Sequence, residues 1–403
     1  MSPSFIRRLK EFLGLNASMI AMIVLVVFIG LGEKLAERFL PLYLMALGGS
    51  VYAVGNLNAL DNLLSALYSF PGGWVSDRLG YKRALILFTA IAMAGYLLVI
   101  LVQTWWAVFI GALFFISWTA VSLPAIMSLV SKTVPSRKRT MGVTVHSFVR
   151  RVPMALGPVI GGALIGALGT TLGVRIGFMV ALILGGVAIP FVMVLMKDEK
   201  PATKRTGGII AGLRLINAPL RGLLLSDILV RFAEQIPYAF VVVWVVDVNR
   251  FSALQFGWLT AIEMATAMAV YIPVAYLADR STKKPFVLAT FGFFTLFPIA
   301  LMYARSFPLL VAAFIIRGLK EFGEPTRKAL IMDLAPEQAK ALTFGAYYLV
   351  RDVVVSIAAL SSAVLWSVSP QVNFLVAAGC GAIGTVLFAF FGKDAKPSQV
   401  TVK

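Results

Sequence analysis

The stretch "PGGWVSDRLGYKRALIL", residues 71–87, decides how the chain is read, because part of it returns. Residues 273–288 read "PVAYLADRSTKKPFVL", where Pro71, Asp77 and Arg78 reappear as Pro273, Asp279 and Arg280, each 202 positions on. Pro124, Pro135 and Arg150 reappear 201 positions on, as Pro325, Pro336 and Arg351. Six matches at nearly one spacing describe a duplication, and so two homologous halves joined by the polar stretch 197–218.

What surrounds the repeat fixes the class. Of 403 residues, 60% are apolar and 13% charged, with a mean hydropathy of +0.90. Soluble domains average about 45–50% apolar and about 25% charged. A soluble fold cannot bury this much apolar surface, so the chain is read as a membrane protein. Apolar runs long enough for a ~30 Å hydrocarbon core fall at 17–47, 51–76, 84–103, 106–131, 139–168, 175–196, 219–247, 253–278, 285–304, 308–334, 341–367 and 371–391. They read as helices, since barrel strands would be ~10-residue alternating segments. The expected fold is therefore all-α: twelve transmembrane helices in two pseudo-symmetric six-helix halves. Its parts are a cytoplasmic amphipathic segment (1–16), an N-terminal bundle (17–196), a linker (197–218), a C-terminal bundle (219–391) and a tail (392–403). In residues 4–15, Phe5, Ile6, Leu9, Phe12 and Leu13 share one helical face, as an interfacial helix would have it.

Charge sets the orientation. Twenty-five basic residues fall at the N-terminus, the alternate connections and the C-terminal tail, Arg327 and Lys328 among them; Arg175, Arg250 and Arg305 fall opposite. The positive-inside rule puts both termini in the cytoplasm, within a cell inner membrane. The net charge of +18 is thus topological and gives no reason to expect a nucleic-acid partner. One cysteine (Cys380) and one histidine (His146) exclude disulfide frameworks and Cys-rich zinc sites. No glycine-rich loop ending in Lys-Ser/Thr is present, which disfavours nucleotide-driven pumping, and no nucleophile–base pair suggests an enzyme. Neither a cofactor nor a metal is expected. Trp105, Trp106, Trp244 and Trp366 lie near predicted span ends, where an aromatic belt would sit.

With twelve spans, a 6+6 repeat and "GGWVSDRLGYKR", the chain resembles the major facilitator superfamily of transporters. Gly73, Asp77, Arg78, Gly80 and Lys82 or Arg83 match that family's loop signature between its second and third helices; Asp279 and Arg280 are the second-half counterparts. The resemblance implies that this loop steadies one end state of alternating access, which makes these residues gating candidates. "LGPVIGG", residues 156–162, is similar to the tail of the family's antiporter motif, although Pro153 stands where that motif has glycine.

Function is sought in the charges within the spans: Glu33, Lys34, Glu37, Arg38, Asp61, Arg150, Arg151, Asp227, Arg231, Glu234, Glu263, Arg317, Lys320, Glu321, Glu324, Arg351 and Asp352. Each costs at least ~2.5–3.5 kcal/mol at the membrane centre, so the helices that carry them face a cavity. The third, fourth, sixth, ninth and twelfth spans carry none; in the family the third, sixth, ninth and twelfth face lipid. In the first span Glu33 and Glu37 share one face and Lys34 and Arg38 the next. In the tenth, Arg317–Glu321, Lys320–Glu324 and Glu324–Arg327 stand at helical pair spacings, and Gly323 with Pro325 predicts a bend. Arg150 and Arg351, related by the repeat, are read as two guanidiniums converging on an anionic group, with Arg151, Tyr348, Glu37, Arg38 and Lys320 as further solute-binding candidates. The competing reading has both arginines paired to carboxylates such as Asp352 or Asp61. Glu37 and Glu234, then Glu33, Glu263 and Glu321, are the proton-coupling candidates. The reading is a monomeric secondary active transporter of a small anionic or zwitterionic solute, driven by protons. The alternatives are a drug/proton antiporter and a non-transporting membrane receptor.

Overall fold

A computed structural model describes residues 17–115, 118, 122, 126, 139–196, 213–278, 282–336 and 340–394. Among them all regular structure is helical: α1 (Ala17–Glu37), α2 (Leu40–Ala46), α3 (Val51–Leu79), α4 (Tyr81–Leu101), α5 (Trp105–Phe115), α6 (Arg139–Leu168), α7 (Thr170–Leu195), α8 (Ala218–Gln235), α9 (Phe240–Val243), α10 (Ala253–Ala278), α11 (Lys284–Tyr303), α12 (Phe307–Leu319), α13 (Glu324–Leu334), α14 (Lys340–Val368) and α15 (Pro370–Phe391). A π-helical turn, Trp244–Val248, continues α9. Among the described residues, eight helical segments are long and apolar enough to cross a membrane. The chain divides into two compact units, Met1–Arg205 with Val242–Ala261, and Thr206–Val241 with Ile262–Lys403.

At least three of the apolar runs are broken, the seventh between Gln235 and Phe240, and the breaks in the first and tenth have plain local causes. The first stops at Glu37 and restarts at Leu40, where Pro41 opens α2 without needing an amide donor. The tenth stops at Leu319 and restarts at Glu324 with Pro325 in the first turn, so the bend expected at Gly323 is there. Gly323 is needed at this point, because a Cβ would meet the Phe286 carbonyl oxygen.

The helices of the third, sixth and twelfth spans, free of charge beyond their first two turns, present apolar side chains outward. Leu87, Ile91 and Leu97 on α4, Ile183, Val187 and Met193 on α7, and Leu375, Ile383 and Phe390 on α15 are all exposed. Of the four tryptophans placed in an aromatic belt, Trp105 and Trp106 are exposed, whereas Trp244 and Trp366 are core residues. Trp366 stacks on Phe240 at 4.5 Å between ring centroids, so packing rather than an interface holds it.

In the first unit α1 packs against α6 and α7. The close approach is made by glycines of "LGPVIGG": a Cβ on Gly157 would stand 2.7 Å from Lys34 Cβ, and one on Gly161 would meet the Leu35 carbonyl oxygen. These contacts hold the charged end of α1 against α6. Because the obstacle at Gly161 is backbone, Gly161→Val is expected to cost about 1–3 kcal/mol or more. The melting temperature of the purified variant, set against that of Gly166→Val, where a Cβ has open space, checks this.

Candidate functional site

The two units carry their buried charge differently. In the second, Asp227, Arg231 and Glu234 lie at i, i+4 and i+7 on α8, and so on one face. Asp227 and Arg327 of α13 form a wholly buried ion pair, and Tyr347 of α14 donates to Asp227 Oδ2 at 3.1 Å. From this pair a ladder of alternating sign runs both ways. Arg327 reaches Glu324 at 2.6 Å, Glu324 meets Arg231 at 3.2 Å, and Arg231 meets Glu234 at 2.6 Å. Glu234 accepts from Lys320 at 2.6 Å, and Glu263 of α10 lies 3.6 Å from Lys320 and 3.3 Å from Arg317. In the other direction Arg351 Nη1 lies 3.6 Å from Asp227, and its Nε and Nη2 grip Asp352 Oδ1 at 2.7 and 2.6 Å.

These ten groups, five cations and five carboxylates, sum to zero. Desolvating an ion costs several kcal/mol, and that cost is offset only where opposite charge is in contact. Alternation supplies this at every rung. Aromatic faces help: Arg351 lies 4.1 Å over Tyr348, Arg231 5.0 Å over Phe294 and Arg317 5.1 Å over Phe297.

The ladder corrects several sequence expectations. Arg317 and Lys320 do not bridge to Glu321 and Glu324 but to Glu263 and Glu234. The chain leaves helical geometry between them, with Glu321 N bonded to the Gly318 oxygen and Phe322 N to the Leu319 oxygen, so the i, i+4 register is lost. Glu324–Arg327 is present as expected. Arg327, counted among cytoplasmic surface charges, is fully buried. Its signal in the sequence was Asp227, an acid on a helix whose other charges had nearer partners.

In the first unit the charges line a cavity of about 160 Å³ among α1, α3, α6 and the residues Trp118, Ser122 and Ile126, with Glu33, Lys34, Glu37, Asp61, Ser65 and Arg150 on its wall. Lys34 pairs with Glu37 and, at 3.1 Å, with Glu33. Glu33 Oε2 is buried and has no hydrogen-bond partner among the described residues. Ser65 Oγ donates to Asp61 Oδ1 at 3.5 Å. Among the described lining residues, three carboxylates face two cations. Trp118 and Ser122 close the far wall, and the Trp118 indole donates to Thr89 Oγ1 at 3.3 Å. Arg151, beside Arg150 on α6, is half-buried, while the side chain of His146 lies outside the described residues.

Arg150 therefore belongs to the first-unit cavity and Arg351 to the second-unit ladder. Tyr348 stacks on Arg351, Arg38 sits in the turn after α1, and Glu321 occupies the turn between α12 and α13. Of the gating candidates, Gly80 is the whole link between α3 and α4. Its φ of +79° is one that glycine adopts without strain. The Arg78 guanidinium lies 4.2 Å over Trp74, Lys82 donates to the Met193 oxygen near the end of α7 at 2.8 Å, and Arg83 is exposed. The Asp77 side chain and the surroundings of Gly73, and all of Asp279 and Arg280, lie outside the described residues.

A repeated helical membrane fold with buried polar chemistry in each unit is the architecture of a solute transporter. The family model described as Major Facilitator Superfamily matches residues 22–232 and 223–403, and the chain belongs to that superfamily. Its fold is shared with the nucleoside transporter NupG (TM-score 0.78, 14% identity, 93% of this chain and 100% of that one). It is shared too with a POT family transporter solved with a thioalcohol-conjugated peptide (TM-score 0.74, 13% identity, 92% and 95% covered). A bacterial homologue of the human lysosomal transporter Spinster, inward-facing and unoccupied, is a third (TM-score 0.69, 13% identity, 93% and 95% covered). Comparison with curated proteins finds no match.

Proposed function

We propose that the chain is a proton-coupled secondary active transporter that moves a small anionic or zwitterionic organic solute by alternating access. The observation that carries this reading is the first-unit cavity, whose wall holds Glu33, Glu37 and Asp61 together with Lys34 and Arg150. A site with both signs of charge suits a solute that has charges of its own, because each buried group then finds a counter-charge or a hydrogen bond. An apolar drug would leave those groups desolvated, which argues against multidrug efflux. The peptide and nucleoside transporters that share the fold are consistent with a polar organic solute.

The coupling proton is assigned to a carboxylate of this cavity rather than to the ladder. A proton drives transport only if its affinity differs between access states, and protonating a ladder carboxylate leaves a buried cation uncompensated. Glu234, which contacts both Arg231 and Lys320, and Glu263, between Arg317 and Lys320, are therefore read as structural. The protein is placed in the inner membrane as a monomer with both termini in the cytoplasm.

The test is uptake into proteoliposomes of a panel spanning amino acids, dipeptides, nucleosides, organic anions and lipophilic cations, with and without a pH gradient. Gradient-stimulated accumulation of an anionic or zwitterionic member, retained per folded molecule in Glu234→Gln, is the expected result. Stimulation confined to lipophilic cations would favour the antiporter.

A further inference from the structure

Asp61 stands outside the pattern that governs the rest of the buried charge. It lies on α3, on the wall of the first-unit cavity, and among the described residues its one hydrogen bond comes from Ser65 Oγ at 3.5 Å. No cation pairs with it there. Across the cavity Lys34 of α1 pairs with Glu33 and Glu37, and it acts on Asp61, as Glu37 does, only from beyond ion-pair distance. Glu33, only 5% exposed, still has one oxygen without a hydrogen-bond partner among the described residues. Arg150 of α6 shares the wall, Arg38 acts on Asp61 from beyond ion-pair distance, and α4 brings the buried Tyr96 within electrostatic reach of Glu33 and Glu37.

The contrast with the ladder is chemical. Glu263, Glu234, Glu324 and Asp227 each touch two cations or more, and Asp352 holds Arg351 through two nitrogens. Neutralising any of them would strand buried positive charge. A proton on Asp61 breaks no ion pair among the described residues. It turns a poorly solvated carboxylate into a neutral acid whose O–H can donate within a cavity that also holds the unpartnered Glu33 oxygen.

We infer that Asp61 is the carboxylate that takes up and releases the coupling proton. The inference rests on the proton-coupled reading above and adds the residue. The step is a simple protonation: a proton from water adds to one carboxylate oxygen while the cavity is open to one side, and returns to water from the other. No other bond is made or broken.

Infrared difference spectra of the purified protein in nanodiscs, recorded across a pH titration, read this directly and need no solute. A carbonyl stretch of a protonated carboxylic acid should rise and fall with pH. It should be lost in Asp61→Asn and survive in Glu37→Gln and Glu234→Gln. Asp61→Glu, which keeps the acid, should retain the band at a moved frequency, and this guards against misfolding of the Asn variant. Persistence of the band in folded Asp61→Asn, or its absence from the unmodified protein, overturns the inference. The two readings fail separately. A band lost in Asp61→Asn with no gradient-driven uptake by the unmodified protein ends the coupling reading and leaves only a proton-binding site. Driven uptake with a band that survives Asp61→Asn leaves coupling intact and moves it off Asp61.

Discussion

Arg327→Ala is expected to destabilise the protein by about 3–5 kcal/mol, the range for breaking one partner out of a buried ion pair. Arg327 and Asp227 are both fully buried. Removing the guanidinium leaves Asp227 with a 3.6 Å contact to Arg351 and the Tyr347 hydroxyl, and takes from Glu324 its 2.6 Å partner. Arg327→Lys should lose less, since it keeps the charge but cannot fork between Asp227 and Glu324. Pairing Arg327→Gln with Asp227→Asn should recover much of the loss, because charge leaves from both sides of the contact. Thermal unfolding of the purified single and double variants gives the coupling energy directly. Additive losses, with no recovery in the double variant, would mean that the ladder is not a connected network.

The second large effect concerns Arg150. If its guanidinium holds the anionic group of the solute, Arg150→Lys keeps the charge, loses the planar fork, and should weaken binding roughly ten- to a hundred-fold, from a contact of about 1.5–3 kcal/mol. Arg351→Lys separates two versions of the idea. Arg351 is already gripped by Asp352 and close to Asp227, so a structural role predicts unchanged affinity and a lower melting temperature. A clamp formed by both arginines predicts comparable losses of affinity from either change. Affinity and melting temperature measured on the same variants decide between them. Unchanged affinity in Arg150→Lys would remove the anion contact altogether.

How far the sequence carries depends on whether a property is periodic or pairwise. The membrane class and the helical halves follow from hydropathy and from the repeated Pro-Asp-Arg spacing, which no tertiary detail alters. The bend at Gly323 and Pro325 was legible for the same reason: proline lacks an amide and glycine lacks a Cβ wherever they fall. Charge partners are another matter. Within one continuous helix the i, i+3 rule works, as Arg231–Glu234 and Glu324–Arg327 show. Across the break at residues 320–323 it fails, and Arg317 and Lys320 turn to other helices. Arg327 was misplaced because a basic residue after Pro325 looks like a loop charge until Asp227, a hundred positions earlier, is brought against it. Asp61 had no sequence signal to separate it from sixteen other charges within the spans; its place on the cavity wall and its contrast with the paired carboxylates of the ladder single it out.

The central claim is that a proton gradient powers solute accumulation by this chain. It is tested most directly by loading proteoliposomes under an imposed pH gradient with the best solute of the panel, then adding a protonophore during uptake. Coupling predicts accumulation of about ten-fold per pH unit for each proton carried, followed by loss of the accumulated solute when the gradient collapses. Accumulation that never exceeds equilibration, and that the protonophore leaves unchanged, would contradict it.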